Sequence, residues 1–144
     1  MDHVFPYANV VAGVLVLLVG FGFHWIGQLI SVVNWDFAMR IGLQEKAAPE
    51  EYKVYEHGTA VADVAIGWIY GIAGVGLILG TPWGFKLAWL PGVALIYHSA
   101  IFWFTTLNQR KAGHRLMTHS VRTGWFLANS ITGILTILVA WKKC

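Results

Sequence analysis

Four polar residues interrupt four strongly apolar stretches of the sequence, and they are His24, Asp63, His98 and Asn129. Counted from the same end of each stretch, they lie about six to nine residues in, which is roughly 9 to 13 Å along a helix. An isolated carboxylate in hydrocarbon costs about 2.5 to 3.5 kcal/mol, so an acid at this depth needs a partner or a use. We therefore expect Asp63 to meet His24 or His98 inside the protein.

Two imidazoles and a carboxylate at one depth suit three kinds of chemistry. A His/Asp pair in a low dielectric serves general acid–base catalysis. Two histidines with one aspartate can hold a transition metal, and a single histidine can ligate haem iron. We assign the catalytic role to Asp63, His98, His24 and Asn129 and leave the identity of any metal open. The alternative is a hydrogen-bonded network that only sets helix register, since polar contacts between membrane helices average about 0.6 kcal/mol.

Other motif classes have no support in this sequence. It contains no HExxH, no CxxC, no Gly-rich phosphate loop and no serine elbow, so hydrolytic zinc chemistry and nucleotide chemistry are not indicated. The aromatic run "IFWF" with Trp125 suggests an apolar substrate pocket, to which we assign Tyr97, Phe102 and Trp103. The alternative is an aromatic belt of the kind that is common in membrane helices.

The amino-acid composition indicates which environment surrounds the protein. The chain has 144 residues, 57% of them hydrophobic and 12% charged, whereas soluble domains have roughly 45 to 50% apolar and about 25% charged residues. This balance predicts an integral membrane protein surrounded by lipid. The net charge of +3 lies mostly in loops beside apolar stretches, so it reflects membrane topology and not binding to nucleic acid.

Four stretches, about 7–33, 57–79, 86–107 and 124–141, reach the roughly 20 residues that a membrane-spanning helix needs. We predict an all-α protein with one domain, residues 1–144, built as an antiparallel bundle of four transmembrane helices. The motif "PEE" at Pro49 predicts that the second helix begins about two turns outside the membrane. Pro91 is expected to kink the third helix.

The distribution of basic residues predicts the orientation of the spans. The first and third loops contain seven Lys or Arg residues (Arg40, Lys46, Lys53, Arg110, Lys111, Arg115 and Arg122), and the opposite side contains three (Lys86, Lys142 and Lys143). By the positive-inside rule, both loops lie in the cytoplasm and both termini lie outside it, in a cell (inner) membrane.

The second span is rich in glycine, in the segment "GWIYGIAGVGLILG". Small residues at this spacing allow helices to approach closely. The glycines predict either packing within one chain or the seam of a homo-oligomer.

The segments "HGTAVAD" in the second span and "IFWFTTLNQR" at the end of the third resemble styrene oxide isomerase, a family of small membrane enzymes. In that family a second-helix histidine binds haem b, an asparagine follows six residues later, and a third-helix tyrosine lies in an aromatic run. The matching positions are His57, Asp63 and Trp103, and the last two differ from the family pattern. The resemblance covers about fifty residues and implies a haem iron acting as Lewis acid on a small apolar epoxide, with subunits sharing the haem.

The leading functional hypothesis is therefore a small intramembrane enzyme, isomerase-like, that acts on a small apolar ligand and uses haem b if His57 is an iron ligand. The alternative hypotheses are a non-enzymatic subunit of a larger membrane complex, which binds partner membrane subunits, and a component of a proton or ion pathway.

Overall fold

The structure is a computed structural model that describes residues 6–46, 48–114 and 116–143. This part of the chain is mostly helical and contains no strand. The helices, labelled in chain order, are α1 (Ala8–Val33), α2 (Trp35–Arg40), α3 (Glu50–Ile66), α4 (Trp68–Ile78), α5 (Pro82–Lys111) and α6 (His119–Lys143).

Among the described residues, three helices are long and apolar enough to cross a membrane, namely α1, α5 and α6. The bent pair α3 and α4 makes a fourth if both belong to one span. Large apolar side chains such as Leu18, Ile131 and Leu138 are more than half exposed on the outer faces of these helices. Such a surface is unfavourable in water and favourable in lipid, which agrees with an integral membrane protein.

Helix α1 changes its hydrogen-bonding pattern in its middle. Ala8–Leu15 and Gly27–Val33 are α-helical, and Val16–Ile26 between them is π-helical. π-helical turns are rare and frequently occur at functional sites. His24 lies in this π-helical segment and is buried.

The second apolar stretch is bent, which the sequence did not predict. Its first helix begins at Glu50 after Pro49, as expected, but α3 and α4 meet at Gly67 with a bend of 46°. The Trp25 indole donates a hydrogen bond to the Val64 carbonyl at 3.1 Å, an oxygen that an unbroken helix would use internally. A Cβ at Gly67 would lie 2.8 Å from the Trp25 side chain and 2.6 Å from the Asp63 carbonyl oxygen, so the bend requires glycine.

The helices that contain the third and fourth predicted spans extend beyond those spans at both ends. Helix α5 begins at Pro82, where the Thr81 hydroxyl accepts a hydrogen bond from the Gly84 amide, and α6 begins at His119. Caps set these ends, whereas hydropathy locates only the apolar part of a helix. The irregularity in α5 lies at Ala88, between Pro82–Leu87 and Trp89–Lys111, three residues before Pro91. Proline has no N–H for the preceding turn, so the disturbance falls there.

Glycines mark the close contacts between helices of the same chain. A Cβ at Gly74 would lie 2.7 Å from Leu17 and 3.1 Å from the Gly13 carbonyl oxygen, and one at Gly133 would lie 2.7 Å from the Gly92 carbonyl oxygen. The first contact joins α4 to α1 and the second joins α6 to α5. These glycines thus serve packing within the chain.

The contact between Gly133 and Gly92 makes a stability prediction with a matched control on the same helix. Gly133→Ala is expected to lower the free energy of unfolding by about 1 to 3 kcal/mol, because the added methyl meets a backbone oxygen. A Cβ at Gly124 has no atom within 4 Å, so Gly124→Ala is expected to stabilise α6 by up to about 1 kcal/mol. Thermal unfolding of both variants in detergent measures the difference, and equal melting temperatures would contradict this packing.

Candidate functional site

The four polar residues predicted to share a layer form two hydrogen-bonded pairs. His98 Nε2 lies 2.9 Å from Asp63 Oδ1, and His24 Nε2 lies 2.6 Å from Asn129 Oδ1. The two imidazole rings lie 4.8 Å apart between centroids. His24, Asp63 and Asn129 are almost fully buried, and His98 is partly buried. The common depth therefore does correspond to one cluster in space.

The hydrogen bonds of the cluster engage one nitrogen of each imidazole ring. The Asn129 amide nitrogen donates to the Trp125 carbonyl at 2.8 Å, so its oxygen faces His24 and accepts from Nε2. The Asp63 carboxylate likewise accepts from His98 Nε2. In a neutral His24 ring the other nitrogen, Nδ1, then holds a lone pair. His98 offers a lone pair on Nε2 when the hydrogen between Nε2 and Asp63 is replaced.

The third electron-pair donor of the cluster is the second oxygen of Asp63. Asp63 Oδ2 is buried and has no hydrogen-bond partner in the described part of the protein. One ligand atom from each of His24, Asp63 and His98 can be chosen so that all three lie within 4.8 Å of one another. Imidazole nitrogens and carboxylate oxygens are among the ligands that divalent transition metals use.

The local helix geometry holds these side chains in place. His24 lies on the π-helical segment of α1, and its ring is flanked by Tyr70 and Trp125 at 6.2 and 5.2 Å between centroids. The main-chain oxygen of Asp63 accepts the Gly67 amide at 2.7 Å, immediately before the bend. Beside His98, the Ser99 hydroxyl donates to the Phe126 carbonyl and accepts from Ser130 at 2.6 Å, which fixes α5 against α6.

A cavity of about 460 Å³ leads to the cluster. His24 and His98 line this cavity, together with residues of the segment that joins α2 to α3 and residues at the start of α6. Apolar side chains form much of the wall: Phe23, Leu43, Ile101, Phe102, Met117, Val121 and Trp125. Polar side chains form another part: Gln28, Ser31, Gln44, Glu45, Tyr52, Tyr55, Glu56, Thr59, Thr105 and Thr106. Burial raises the pKa of the Glu45 carboxyl above its ordinary value.

The predicted substrate residues separate into two groups in the structure. Phe102 lines the cavity as expected. Tyr97 is 63% exposed on the outside of α5, and Trp103 packs against Phe126 and under the Arg122 guanidinium, 4.3 Å from the ring centre. Consecutive helical residues point about 100° apart, so neighbours of Phe102 and His98 do not all face the same cavity.

His57 does not line the cavity either. Its side chain is exposed and lies beside Trp35, at 6.0 Å between ring centroids. Ala60 and Asp63 are buried, and His57 faces away from both. Neither His57 nor Asp63 is among the residues that line this cavity. An axial haem ligand at His57 would lie on the outer face of α3.

Sequence reasoning missed several polar residues that line the cavity, although their spacing carried the signal. Tyr52, Glu56, Thr59 and Asp63 follow one another at intervals of four, three and four residues, which places them on one face of α3. Gln28 follows His24 by four residues on α1 in the same way. A count of polar residues at helical spacing around each histidine would have identified this wall.

Neither a protein-family model, nor a curated protein, nor a solved structure matches this chain. Its function must therefore be argued from the cluster and the cavity.

Proposed function

We propose that this protein is an intramembrane enzyme that rearranges a small, mostly apolar substrate bound in the cavity. The observation that supports this function is that His24 and His98 line the cavity, and that His98 contacts the buried carboxylate of Asp63. Reactive polar groups that line an apolar-walled cavity are the arrangement of a catalytic site. A network that only sets helix register has no need of such a cavity.

The cavity indicates the size and polarity of the substrate. Sites for small molecules measure about 300 to 1,000 Å³ and combine apolar walls with a few polar groups. The cavity in this protein is near the lower end of that range and suits a compact molecule that partitions into lipid. The resemblance to styrene oxide isomerase suggests a small epoxide. Its isomerisation breaks one C–O bond, moves a hydride to the neighbouring carbon and forms a carbonyl, so every atom of the substrate is retained.

The direct test uses purified protein and styrene oxide as the probe. Formation of the isomeric aldehyde, measured by gas chromatography, is expected with wild-type protein and not with the variant His98→Gln. Equal aldehyde formation by wild type, variant and empty detergent micelles would reject this reaction. An accessory subunit, the rival hypothesis, would likewise show no protein-dependent product.

For the membrane arrangement we infer an antiparallel four-helix bundle with α3 and α4 as one bent span. The cavity mouth then lies at the end of the bundle that carries the first and third loops. The excess of Lys and Arg in those loops places this end in the cytoplasm of a cell (inner) membrane. The substrate would enter at the cytoplasmic leaflet.

This orientation is tested with two reporter fusions. A reporter after Cys144 is expected to lie outside the cytoplasm, and a reporter inserted at Gly113 is expected to lie inside, because seven of the ten Lys and Arg residues flank that side. The pair of reporter activities measures the orientation, and the opposite result at both positions would invert it.

Haem b is the cofactor that the family resemblance suggests, with His57 as its axial ligand. His57 is exposed on α3, so this version of the function requires a second subunit of a homo-oligomer to enclose the haem. It predicts that protein expressed with ample haem has a Soret band, which His57→Ala abolishes and His98→Ala retains. A Soret band unchanged in His57→Ala would reject His57 as the ligand.

A further inference from the structure

We propose that His24, Asp63 and His98 bind one divalent first-row transition metal ion beside the cavity. This inference deepens the proposed function because it assigns a cofactor to the same site. Two histidines and one carboxylate form the three-ligand set of open metal sites, in which the remaining coordination positions are free for substrate. The cavity reaches His24 and His98, so an ion held there is accessible to a bound molecule.

The first argument is the unbalanced hydrogen bonding of the cluster. Asp63 Oδ2 is buried in a residue that is 6% exposed, and it has no partner in the described part of the chain. A buried unpaired carboxylate oxygen is costly. With the His24 proton directed to Asn129, Nδ1 of a neutral His24 ring holds a lone pair. His98 Nε2 lies 2.9 Å from Asp63 Oδ1, so an ion can replace the hydrogen between these two groups. His24 Nδ1, His98 Nε2 and the Asp63 carboxylate are then three electron-pair donors that are complementary to a cation.

The second argument is that the outer hydrogen bonds resemble those of metal-binding histidines. Such histidines almost always donate their other N–H to a carboxylate or a carbonyl oxygen, which fixes the tautomer. His24 donates to Asn129, and Asn129 is itself held by the Trp125 carbonyl. These two successive hydrogen bonds fix the tautomer and the orientation of the His24 ring, which a histidine that serves only in packing does not need.

The distances require a modest adjustment. Metal–ligand bonds of about 2.0 to 2.2 Å bring ligand atoms to about 3 Å from one another. One ligand atom from each of the three residues can be chosen so that all lie within 4.8 Å of one another. The widest separation must therefore shorten by at most about 2 Å, which rotation of the histidine side chains can supply. A bound ion would polarise an oxygen of the substrate as a Lewis acid, and the apolar wall would keep bulk water from it.

The inference is tested with Co²⁺ as the probe, because its visible absorption reports nitrogen and oxygen ligation. Full-length protein is purified in detergent, stripped with chelator and titrated with Co²⁺, and Zn²⁺ is then used as competitor. We expect one equivalent of Co²⁺ with a visible band that Zn²⁺ removes. His24→Gln, Asp63→Asn and His98→Gln should each weaken binding by on the order of 100-fold, and Asn129→Leu by about 10- to 100-fold.

The control variant is His114→Gln, which changes an exposed histidine in the segment between α5 and α6 and should bind Co²⁺ as wild type does. Circular dichroism and melting temperature show whether each variant is folded. If one ligand variant fails to fold, Co²⁺ binding by the other two ligand variants tests the inference. The inference is overturned if wild type binds no Co²⁺, or if the folded ligand variants bind as much as His114→Gln.

The metal inference and the proposed function fail separately. Aldehyde formation by chelator-treated protein would overturn the metal and leave the enzymatic function. One equivalent of Co²⁺ without any turnover of the probe would support the metal and count against the proposed reaction.

Discussion

Asp63→Asn is expected to reduce turnover of the proposed substrate by on the order of 100-fold or more, with little change in fold. Asparagine has nearly the same shape as aspartate and keeps an oxygen that can accept from His98 Nε2, which lies 2.9 Å from Asp63 Oδ1. It removes the negative charge and replaces the unpartnered Oδ2 with an amide that has no lone pair to offer. The change therefore separates the chemistry of the carboxylate from its packing.

A purely structural layer gives a different result for the same variant. Polar contacts between membrane helices average about 0.6 kcal/mol, so loss of one such contact would shift the melting temperature slightly and leave turnover intact. Asp36→Asn is the matched control, because Asp36 is an exposed acid in the first turn of α2. Wild-type turnover in Asp63→Asn would mean that the carboxylate has only a structural role.

The sequence was sufficient to predict that the four polar residues lie at one depth, because depth along a helix depends only on residue count and rise per residue. It was also sufficient to place the start of α3 at Glu50, because proline and acidic residues are typical of a helix N-terminus. Both predictions rest on local properties of the chain.

The orientation of each residue around its helix was harder to predict. The family resemblance matched both His57 and Asp63 to site positions, yet Asp63 is buried and His57 is exposed. Packing against α1 determines which face of α3 is buried. In this contact the Trp25 indole donates a hydrogen bond to the Val64 carbonyl, and Gly67 leaves space for the indole. Such contacts join residues about forty positions apart, and no local pattern encodes them.

The pairing within the cluster also depended on tertiary structure. Depth alone allowed Asp63 to meet either histidine, and the structure pairs it with His98 while His24 pairs with Asn129. The π-helical segment Val16–Ile26 changes the direction of His24 relative to an ideal α-helix. A single sequence with strongly apolar residues throughout this segment has no feature that predicts the change.

Gly124→Trp is expected to abolish most of the turnover by filling the cavity from its wall. Gly124 lines the cavity, and a Cβ there has no atom within 4 Å, so an indole can enter the space without disturbing α6. One methylene more or less in an apolar pocket changes kcat/KM by roughly 10- to 200-fold. An indole is far larger than a methylene, so we expect turnover to fall by at least that factor.

Gly58→Trp is the matched control for this variant, since a Cβ at Gly58 also has no neighbour within 4 Å and Gly58 lies outside the cavity. Aldehyde formation measures the effect, and Co²⁺ binding checks that the cluster is intact, because Gly124→Trp leaves all three ligands in place. Wild-type turnover in Gly124→Trp would show that the substrate does not use this cavity. Loss of turnover in Gly58→Trp alone would instead locate the reaction on the outer face of α3 beside His57, where the haem version of the function requires it.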